Sequence, residues 1–238
     1  MTPVHCHKNL FQKVCSFQNY RRALSMTNPI IILIAGSSGS GKSTVVKEMI
    51  EQLGPDICTL VPLDMLYLDQ SSIPETKRVE INFDHPEAID WEELYYIVRN
   101  LQEGNKAKLP FYDFSSHTRI QDKAIPISPR KIIIVEGIMV LWSKRLRQMA
   151  DYSIFVDTPL DTCLSRRLLR DTASESDGGR GRTHDAVIEQ WEVVRDMYLA
   201  HFEPTKMHAH LIIPRGGKND GGIALLVAAI RQLLSERS

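Results

Sequence analysis

The stretch Ile30-Ile31-Ile32-Leu33-Ile34-Ala35-Gly36-Ser37-Ser38-Gly39-Ser40-Gly41-Lys42-Ser43 decides the fold of this 238-residue chain. Its opening apolar run is mostly β-branched, which is typical of a strand buried on both faces of a parallel sheet. The part from Gly36 to Ser43 matches the pattern GxxxxGK[ST] without a gap. A helix is predicted from about Lys42 to Leu53, closed by Gly54-Pro55. A glycine-rich loop between such a strand and a helix is the setting in which this pattern holds phosphate.

The residue types of this loop suit a triphosphate. Glycines let backbone N–H groups curl around phosphate oxygens, and the helix that follows directs the positive end of its dipole at them. Lys42 supplies a mobile cation for the β- and γ-phosphates, and the Ser43 hydroxyl is a hard oxygen ligand for Mg²⁺. The residues predicted to bind the nucleoside triphosphate here are Gly36, Ser37, Ser38, Gly39, Ser40, Gly41, Lys42, Ser43 and Thr44.

Composition excludes several classes of function. The 29 basic and 29 acidic residues cancel, so no nucleic-acid or membrane-surface partner is indicated. The longest apolar runs are strand-length, far short of the roughly 20 residues that cross a bilayer. The four cysteines are scattered without paired spacing, which favours free thiols. Residues 1–28 hold no continuous apolar core of an export signal, so we expect a cytoplasmic protein.

Two parts of the chain differ in pattern. Residues 1–28 fit no strand or helix template, and we expect either a mobile tail or a natural start at Met26. Residues 29–238 alternate strands and helices, which predicts one α/β domain of three layers, with helices on both faces of a parallel sheet. The further strands are predicted at Thr59–Leu63, Lys131–Glu136, Ser153–Val156 and Leu211–Pro214, and the further helices at Asp90–Leu101, Leu160–Asp171, Asp185–Phe202 and Gly222–Leu234. Residues 108–127 predict a β-hairpin inserted outside this sheet.

The class of phosphate-loop protein is narrowed by what the sequence lacks. It has no guanine-reading NKxD-type segment, as a GTPase switch needs, and no LSGGQ-like signature of a transporter ATPase. Small-molecule kinases are the class that remains.

Further motifs follow the loop in order. They are Asn82-Phe83-Asp84-His85-Pro86-Glu87-Ala88-Ile89-Asp90, Pro110-Phe111-Tyr112-Asp113-Phe114 with His117-Thr118-Arg119, Val135-Glu136-Gly137-Ile138, and Phe202-Glu203-Pro204-Thr205-Lys206. Together with the loop they closely resemble the uridine/cytidine kinases, particularly the bacterial uridine kinase type. The resemblance covers the chain from Pro29 onward. It implies a P-loop kinase fold and transfer of a phosphoryl group from Mg-bound ATP or GTP to the 5′-hydroxyl of uridine or cytidine.

The resemblance implies roles for two carboxylates at strand ends. Asp64, with Tyr67 completing a DxxY segment, corresponds to the catalytic acid that accepts the hydroxyl proton, and Lys42 assists it. Glu136 ends an apolar strand beside the phosphate loop, where a carboxylate is well placed to hold Mg²⁺. The predicted metal site therefore comprises Ser43, Glu136 and Asp64.

The resemblance also implies how the nucleoside is bound. Asp84 corresponds to the residue that accepts hydrogen bonds from ribose hydroxyls. Tyr112 and His117, on the 108–127 hairpin, correspond to the pair that reads the pyrimidine edge. The complete predicted nucleoside site is Asp64, Tyr67, Asp84, Tyr112, His117, Arg167 and Gln190.

An arginine-rich segment, residues 166–182, corresponds to the family's lid. Arg170, Arg180 and Arg182 are expected to engage phosphates. The chain departs from the family here, since Thr172–Gly179 lengthens the spacer before Arg180. This leaves open which arginine meets which phosphate.

Other readings stay open at this point. The scaffold also serves acceptors other than nucleosides, as in phosphoribulokinase and pantothenate kinase, although the Tyr112–His117 hairpin argues against them. A further alternative is a nucleotide-sensing protein without turnover. Such a protein would be expected to lack Asp64 or Glu136, and both are present. The sequence does not rank uridine against cytidine or ATP against GTP. A homotetramer is expected from the resemblance alone.

Overall fold

A parallel sheet of five strands, in the spatial order β2-β5-β1-β6-β7, forms the centre of the molecule. The computed structural model describes residues 28–78, 81–174, 176 and 179–237. Its strands are β1 (Ile30–Gly36), β2 (Cys58–Pro62), β3 (Ala107–Asp113), β4 (Thr118–Ile127), β5 (Ile132–Glu136), β6 (Tyr152–Asp157) and β7 (Leu211–Pro214). All neighbours in the central sheet pair in parallel, as expected when helices connect the strands.

Helices connect most of these strands. They are α1 (Lys42–Leu53), α2 (Glu75–Arg78), α3 (Trp91–Gln102), α4 (Lys144–Met149), α5 (Leu160–Thr172), α6 (His184–Met197) and α7 (Asp220–Glu236). Short 3₁₀ turns lie at Pro55–Ile57, Leu63–Leu66, Pro86–Ala88, Glu203–His208 and Gly216–Lys218, and one π turn at Tyr198–Phe202 continues α6.

The central strand β1 is buried along its whole length and divides the core in two. Ile31 and Leu33 face a cluster that includes the apolar stripe of α3. Ile30, Ile32 and Ile34 face a second cluster, which includes apolar residues of α1 and α7. Successive side chains of a strand point to opposite faces, so an unbroken apolar run fits a sheet covered on both sides. The three-layer α/β fold with a parallel sheet is thereby confirmed.

Local chemistry fixes the ends of the helices. Gly54 closes α1 by donating its N–H to the Ile50 carbonyl, with φ of 113°. The Asp90 side chain accepts the Glu93 N–H at 3.0 Å and caps the start of α3. A side-chain cap of this kind stabilises a helix by about 1 kcal/mol.

Strands β3 and β4 form a separate antiparallel two-stranded sheet. The register shifts between Pro110 and Tyr112. The strands extend beyond the strand-like pieces indicated by the sequence, Leu109–Tyr112 and Ala124–Ile127, to Asp113 and from Thr118. Elsewhere the predicted strand and helix ends agree to within two residues, except that α6 ends at Met197 and its predicted remainder to Phe202 is the π turn. Helices α2 and α4 were not predicted, because each is too short to show a periodic pattern.

The prediction for residues 1–28 lies, apart from its last residue, outside the described residues. Cys58 and Cys163 are free thiols. Cys6 and Cys15 lie outside the described residues. No helix among the described residues is both long and apolar enough to span a membrane.

The two-sided burial of β1 generates a stability prediction. Leu33→Ala removes a fully buried side chain from the central strand and should lower the free energy of unfolding by about 2–5 kcal/mol. Leu225→Ala is the matched control, since Leu225 on α7 is 75% exposed and should change it by less than about 0.5 kcal/mol. Urea denaturation followed by circular dichroism measures both; equal losses would contradict the assigned core.

Candidate active site

The carboxyl ends of the central strands bring the glycine loop, Asp64 and Glu136 to one edge of the sheet. Glu136, the last residue of β5, is in register with Ile34 of β1 on one side and with Pro62 of β2 on the other. The glycine loop follows β1, and the 3₁₀ turn that carries Asp64 follows β2. In parallel α/β sheets, ligands bind at this edge.

The glycine loop is held by contacts that require glycine. Gly39 and Gly41 have φ of 82° and 90°, a backbone conformation that L side chains rarely adopt. A Cβ atom on Gly39 would also collide with the Cys163 carbonyl oxygen. The Thr158 hydroxyl donates to the Ser40 carbonyl at 2.9 Å. These contacts fix a compact loop that leads directly into α1.

Ser43 and Glu136 meet at the mouth of this loop. The Ser43 hydroxyl donates to Glu136 Oε1 at 3.2 Å. Glu136 Oε2 is buried and, within the described part of the chain, has no hydrogen-bond partner. Burial raises the pKa of Glu136, while the nearby Lys42 ammonium opposes that rise. A buried carboxylate oxygen without a partner, beside a hydroxyl, is a suitable donor set for a divalent cation.

An aromatic cluster lies around Tyr67, near Asp64 and Asp84. It consists of Tyr67, Phe83, Tyr112, Phe114 and His117. The Tyr67 ring centroid is 5.3 Å from that of Phe83 and 5.2 Å from that of Tyr112. The His117 imidazole stacks on Phe83, with centroids 5.3 Å apart and planes 15° apart. This surface is built from four segments. Tyr112 comes from β3, Phe114 and His117 from the hairpin turn, Tyr67 from the segment after β2, and Phe83 from the segment after α2.

The Tyr112 hydroxyl is a buried polar group that this cluster leaves unpaired. Tyr112 is only 3% exposed, and its hydroxyl has no hydrogen-bond partner among the described residues. Burial raises the pKa of Tyr112 above its usual range, so the group stays a neutral donor at physiological pH. An unpaired buried hydroxyl costs about 1–3 kcal/mol, which a ligand that pairs with it would recover.

Two carboxylates lie beside the aromatic cluster. Burial raises the pKa of Asp84. The Arg167 guanidinium opposes this rise, and the Asp64 carboxylate adds to it. Burial, followed by Asp64 and Asp84, raises the pKa of Tyr67 well above its usual value. These mutual effects show that Asp64, Tyr67 and Asp84 lie near one another, with Lys42 close enough to lower the pKa of Asp84.

His117 occupies an unusual backbone conformation at the hairpin turn. Its φ is 52°, a left-handed value that is uncommon for residues other than glycine. Burial lowers the pKa of the imidazole, and the Arg182 and Arg180 guanidinium groups lower it further. The ring is therefore neutral at pH 7, with one nitrogen that donates and one that accepts.

Three of the five arginines of residues 166–182 converge on a buried carboxylate. Asp171 is fully buried; its Oδ1 lies 2.7 Å from Arg170 Nε and 3.6 Å from Arg180 Nε, and its Oδ2 lies 3.4 Å from Arg167 Nε. Burial raises the pKa of Asp171, but the arginines outweigh this effect and hold it below its usual range. The Arg182 N–H donates to the Asp171 carbonyl at 2.8 Å. Asp171 thus joins the two ends of the lengthened spacer.

Gln190 on α6 connects Arg167 with Arg182. Its side-chain oxygen accepts from both arginines, each at 2.6 Å. Arg167 also lies near enough to Asp84 to affect its pKa. The structure therefore brings Arg167 and Gln190 together as a pair near Asp84.

Sequence reasoning gave no role to Arg166 or to the loop Gly216–Gly217. Arg166 donates to the Ser40 carbonyl at 3.1 Å and to the Arg215 carbonyl at 3.3 Å. A Cβ on Gly216 would collide with Ser40, and one on Gly217 with Thr44. The available signal for Arg166 was its position one turn after Cys163, whose carbonyl touches the loop. The loop at Gly216 had no local signal, since its partners are remote in sequence.

Comparison with known proteins places this site in a family. Residues 31–221 match the model of the Phosphoribulokinase / Uridine kinase family. The chain belongs to the phosphoribulokinase/uridine kinase family. Among its curated relatives, the uridine kinase of Shewanella amazonensis is 43% identical over 212 residues, which cover 87% of this chain and 97% of that protein. The uridine kinase of Tolumonas auensis is 44% identical over 89% of this chain and 99% of its own length.

Solved structures that resemble this kinase-family chain share its fold at low identity. Phosphoribulokinase from Rhodobacter spheroides superposes with a TM-score of 0.58 at 16% identity, covering 80% of this chain and 71% of that one. D-glycerate 3-kinase from Cryptococcus neoformans gives a TM-score of 0.58 at 16% identity, covering 83% and 87%. These likenesses establish the fold alone.

The environment of His117 generates a titration prediction for this family member. The imidazole should titrate below its ordinary pKa of 6.5, because burial and the facing arginines disfavour its charged form. Arg182→Gln removes one positive charge and should move that pKa upward. Histidine NMR titration of both proteins, with His117→Gln to assign the signal, measures the shift. A wild-type value at or above 6.5 would contradict the described surroundings.

Proposed function

We propose that this chain is a uridine/cytidine kinase, which transfers the γ-phosphoryl group of a Mg-bound nucleoside triphosphate to the 5′-hydroxyl of uridine or cytidine. The observation that carries the proposal is the aromatic cluster with its buried Tyr112 hydroxyl, beside Asp64 and Asp84 and next to the phosphate loop. The support from relatives is the identity of 43–45% to proteins named uridine kinase, over nearly their whole length.

Mg²⁺ fits the residues at the mouth of the loop. The Ser43 hydroxyl and the unpaired Glu136 oxygen are hard ligands, and Mg²⁺ usually takes one or two such protein groups together with phosphate oxygens and water. Asp64, whose charge adds to the raised pKa of Glu136, completes the proposed acidic surroundings. When bound, the ion neutralises charge on the β- and γ-phosphates and helps to align them.

The proposed mechanism uses Asp64 as the group that prepares the acceptor. Its carboxylate orients the 5′-hydroxyl and accepts its proton as that oxygen attacks the γ-phosphorus. The bond from the γ-phosphorus to the bridging oxygen breaks, and the nucleoside diphosphate leaves with that oxygen. Lys42 and the backbone N–H groups of the loop stabilise the charge of the transferring phosphoryl group. Arg170, Arg180 and Arg182 are proposed to supply further positive charge from the lid.

The proposed acceptor site divides the nucleoside into two parts. The Asp84 carboxylate accepts hydrogen bonds from the ribose hydroxyls, with Tyr67, Arg167 and Gln190 around it. Tyr112 and the neutral His117 pair with the polar edge of the pyrimidine, while Phe83 and Phe114 offer apolar surface to the ring.

The remaining parts of the proposal follow the resemblance. They are ATP or GTP as donor, one kinase domain over residues 29–238, a homotetramer, and a cytoplasmic role in pyrimidine salvage with end-product inhibition. Ribulose 5-phosphate or pantothenate as the acceptor is the competing reading, and it leaves the buried hydroxyl of Tyr112 without a use.

The acceptor and the role of Asp64 are tested in one assay. A coupled phosphotransfer assay with Mg-ATP and Mg-GTP should yield monophosphates from uridine and cytidine, but not from thymidine, adenosine, ribulose 5-phosphate or pantothenate. Asp64→Asn should lower kcat by several orders of magnitude, on the scale of a lost general base with its positioning. Asp56→Asn, at the exposed opposite end of β2, is the matched control. Phosphorylation of another acceptor alone would overturn the proposal.

The Tyr112 hydroxyl gives a prediction with opposite signs for binding and stability. Tyr112→Phe should raise KM for uridine about tenfold, because one hydrogen bond to the base is lost. It should also raise the free energy of unfolding of the nucleoside-free protein by about 1 kcal/mol, since an unpaired buried group is removed. Steady-state kinetics and urea denaturation measure the two effects. A destabilised variant with unchanged KM would mean that the hydroxyl serves the fold.

A further inference from the structure

Arg119 lies on β4, two residues after His117, where several segments of the acceptor side meet. Its side chain is 15% exposed. The guanidinium donates from Nε to the Tyr67 carbonyl at 2.7 Å and from one terminal nitrogen to Glu93 Oε2 at 2.6 Å. The other terminal nitrogen lies 3.4 Å from the Leu66 carbonyl and 3.5 Å from Asp90 Oδ2. One side chain therefore contacts two main-chain carbonyls and two carboxylates.

These contacts join three segments, each of which carries residues of the proposed acceptor site. The first is the turn after β2, with Asp64 and Tyr67. The second runs from Asp84 into the start of α3, and the third is the hairpin, with Tyr112 and His117. The main-chain carbonyls that Arg119 holds belong to the first segment, and the carboxylates belong to the second.

Further hydrogen bonds around Arg119 complete this junction. The Leu68 N–H donates to the Ala88 carbonyl at 2.9 Å, and the Asp90 N–H donates to the Leu66 carbonyl at 2.8 Å. From the hairpin, the Thr118 hydroxyl donates to Asp69 Oδ1 at 2.8 Å and accepts the Gln70 N–H at 2.9 Å. The turn that carries Asp64 is thus hydrogen-bonded to both of its neighbours.

We propose that Arg119 is a positioning residue, which fixes the distance between the base-reading hairpin and the Asp64 turn. The inference rests on the proposed function. A nucleoside held at its base by the hairpin presents its 5′-hydroxyl to Asp64 only if these two segments keep their separation. A misplacement of about 1 Å costs on the order of a hundredfold in rate.

The chemistry of the junction selects arginine. A planar guanidinium presents five donors in fixed directions and stays charged. It can therefore donate to two main-chain carbonyls on one side and to two carboxylates on the other. Its hydrogen bonds to the carboxylates join two charged groups and are stronger than bonds between neutral groups. A lysine ammonium in the same place is a single point with three donors, and it cannot span the same set of acceptors. The contacts of Arg119 do not include the phosphate loop, so its effect should be confined to the acceptor side.

Kinetics of Arg119→Gln and Arg119→Lys test this inference. Arg119→Gln should lower kcat/KM for uridine about a hundredfold, through both a lower kcat and a higher KM. Arg119→Lys should fall between Gln and wild type. The dissociation constant of a fluorescent ATP analogue should stay within about twofold of wild type, since the phosphate loop keeps its contacts. Arg145→Gln is the matched control. Arg145 on α4 also pairs with a carboxylate at the start of α3, Glu92, at 2.7 Å, but among the described residues its hydrogen bonds reach neither the Asp64 turn nor the hairpin.

Amide hydrogen exchange supplies a readout that does not depend on turnover. In Arg119→Gln the amides of Leu68, Gln70 and Asp90 should exchange faster, while those of β1 should keep their wild-type protection. Arg145→Gln should leave both sets unchanged.

The outcomes separate this inference from the proposed function. If the wild-type protein phosphorylates uridine and Arg119→Gln keeps kcat/KM within about threefold, the inference is overturned. Loss of ATP-analogue affinity and of β1 protection together would also overturn it, because the residue would then serve the whole fold. If the wild-type protein phosphorylates no pyrimidine nucleoside, the proposed function fails. The exchange data then decide alone: faster exchange confined to the junction supports the positioning role, and unchanged exchange overturns it.

Discussion

The parallel pairing of β1 with β5 is the constraint on which the rest of the site depends. This pairing sets Ile34 opposite Glu136, so the loop that follows β1 begins beside the carboxylate that ends β5. Neither strand has a solvent face, and the burial of both holds this register. The 3.2 Å contact between Ser43 and Glu136 is therefore a consequence of sheet geometry. Helix α1 begins at Lys42, so its N-terminus lies beside the contact between Ser43 and Glu136.

The two halves of the site are prepared in different ways. Where a ligand is expected, polar groups remain unpaired and desolvated, as with the Tyr112 hydroxyl and the second oxygen of Glu136. Where cations must be held ready, the protein supplies an internal partner, and Asp171 does this for three arginines. A phosphate group that approaches these arginines meets side chains whose charge is already partly balanced. Preorganisation therefore differs between the halves: buried, unpaired polar groups on one side, and a partly neutralised basic cluster on the other.

Sequence patterns predicted those features that depend on short segments. Strand β1 and helix α1 were anticipated closely, because an apolar run, a glycine loop and the closing Gly54 act locally. The meeting of Ser43 with Glu136 was also foreseeable, since parallel strands end at one edge. The partners of Arg167, Arg170 and Arg180 were not. Asp171 was predicted as the last residue of a helix, yet its role as a buried common partner arises only when residues before and after a long spacer fold back together. The same reason hid Arg166, whose acceptors lie in remote loops.

The burial of β1 on both faces has a consequence for how the chain finds its alignment. Because Ile30 to Ala35 are apolar on either side, a slip by one residue would exchange the two rows of side chains between the two cores at little hydrophobic cost. Alternation of polarity therefore cannot signal the correct alignment of this strand. Gly36 can mark the correct alignment, because a side chain at its position would collide with the Val156 carbonyl. A strand that slipped by one residue would place a bulkier residue there. The loop associated with phosphate thus also acts as a stop for the central strand, and a substitution in it would disturb the assembly of the sheet before any ligand is present.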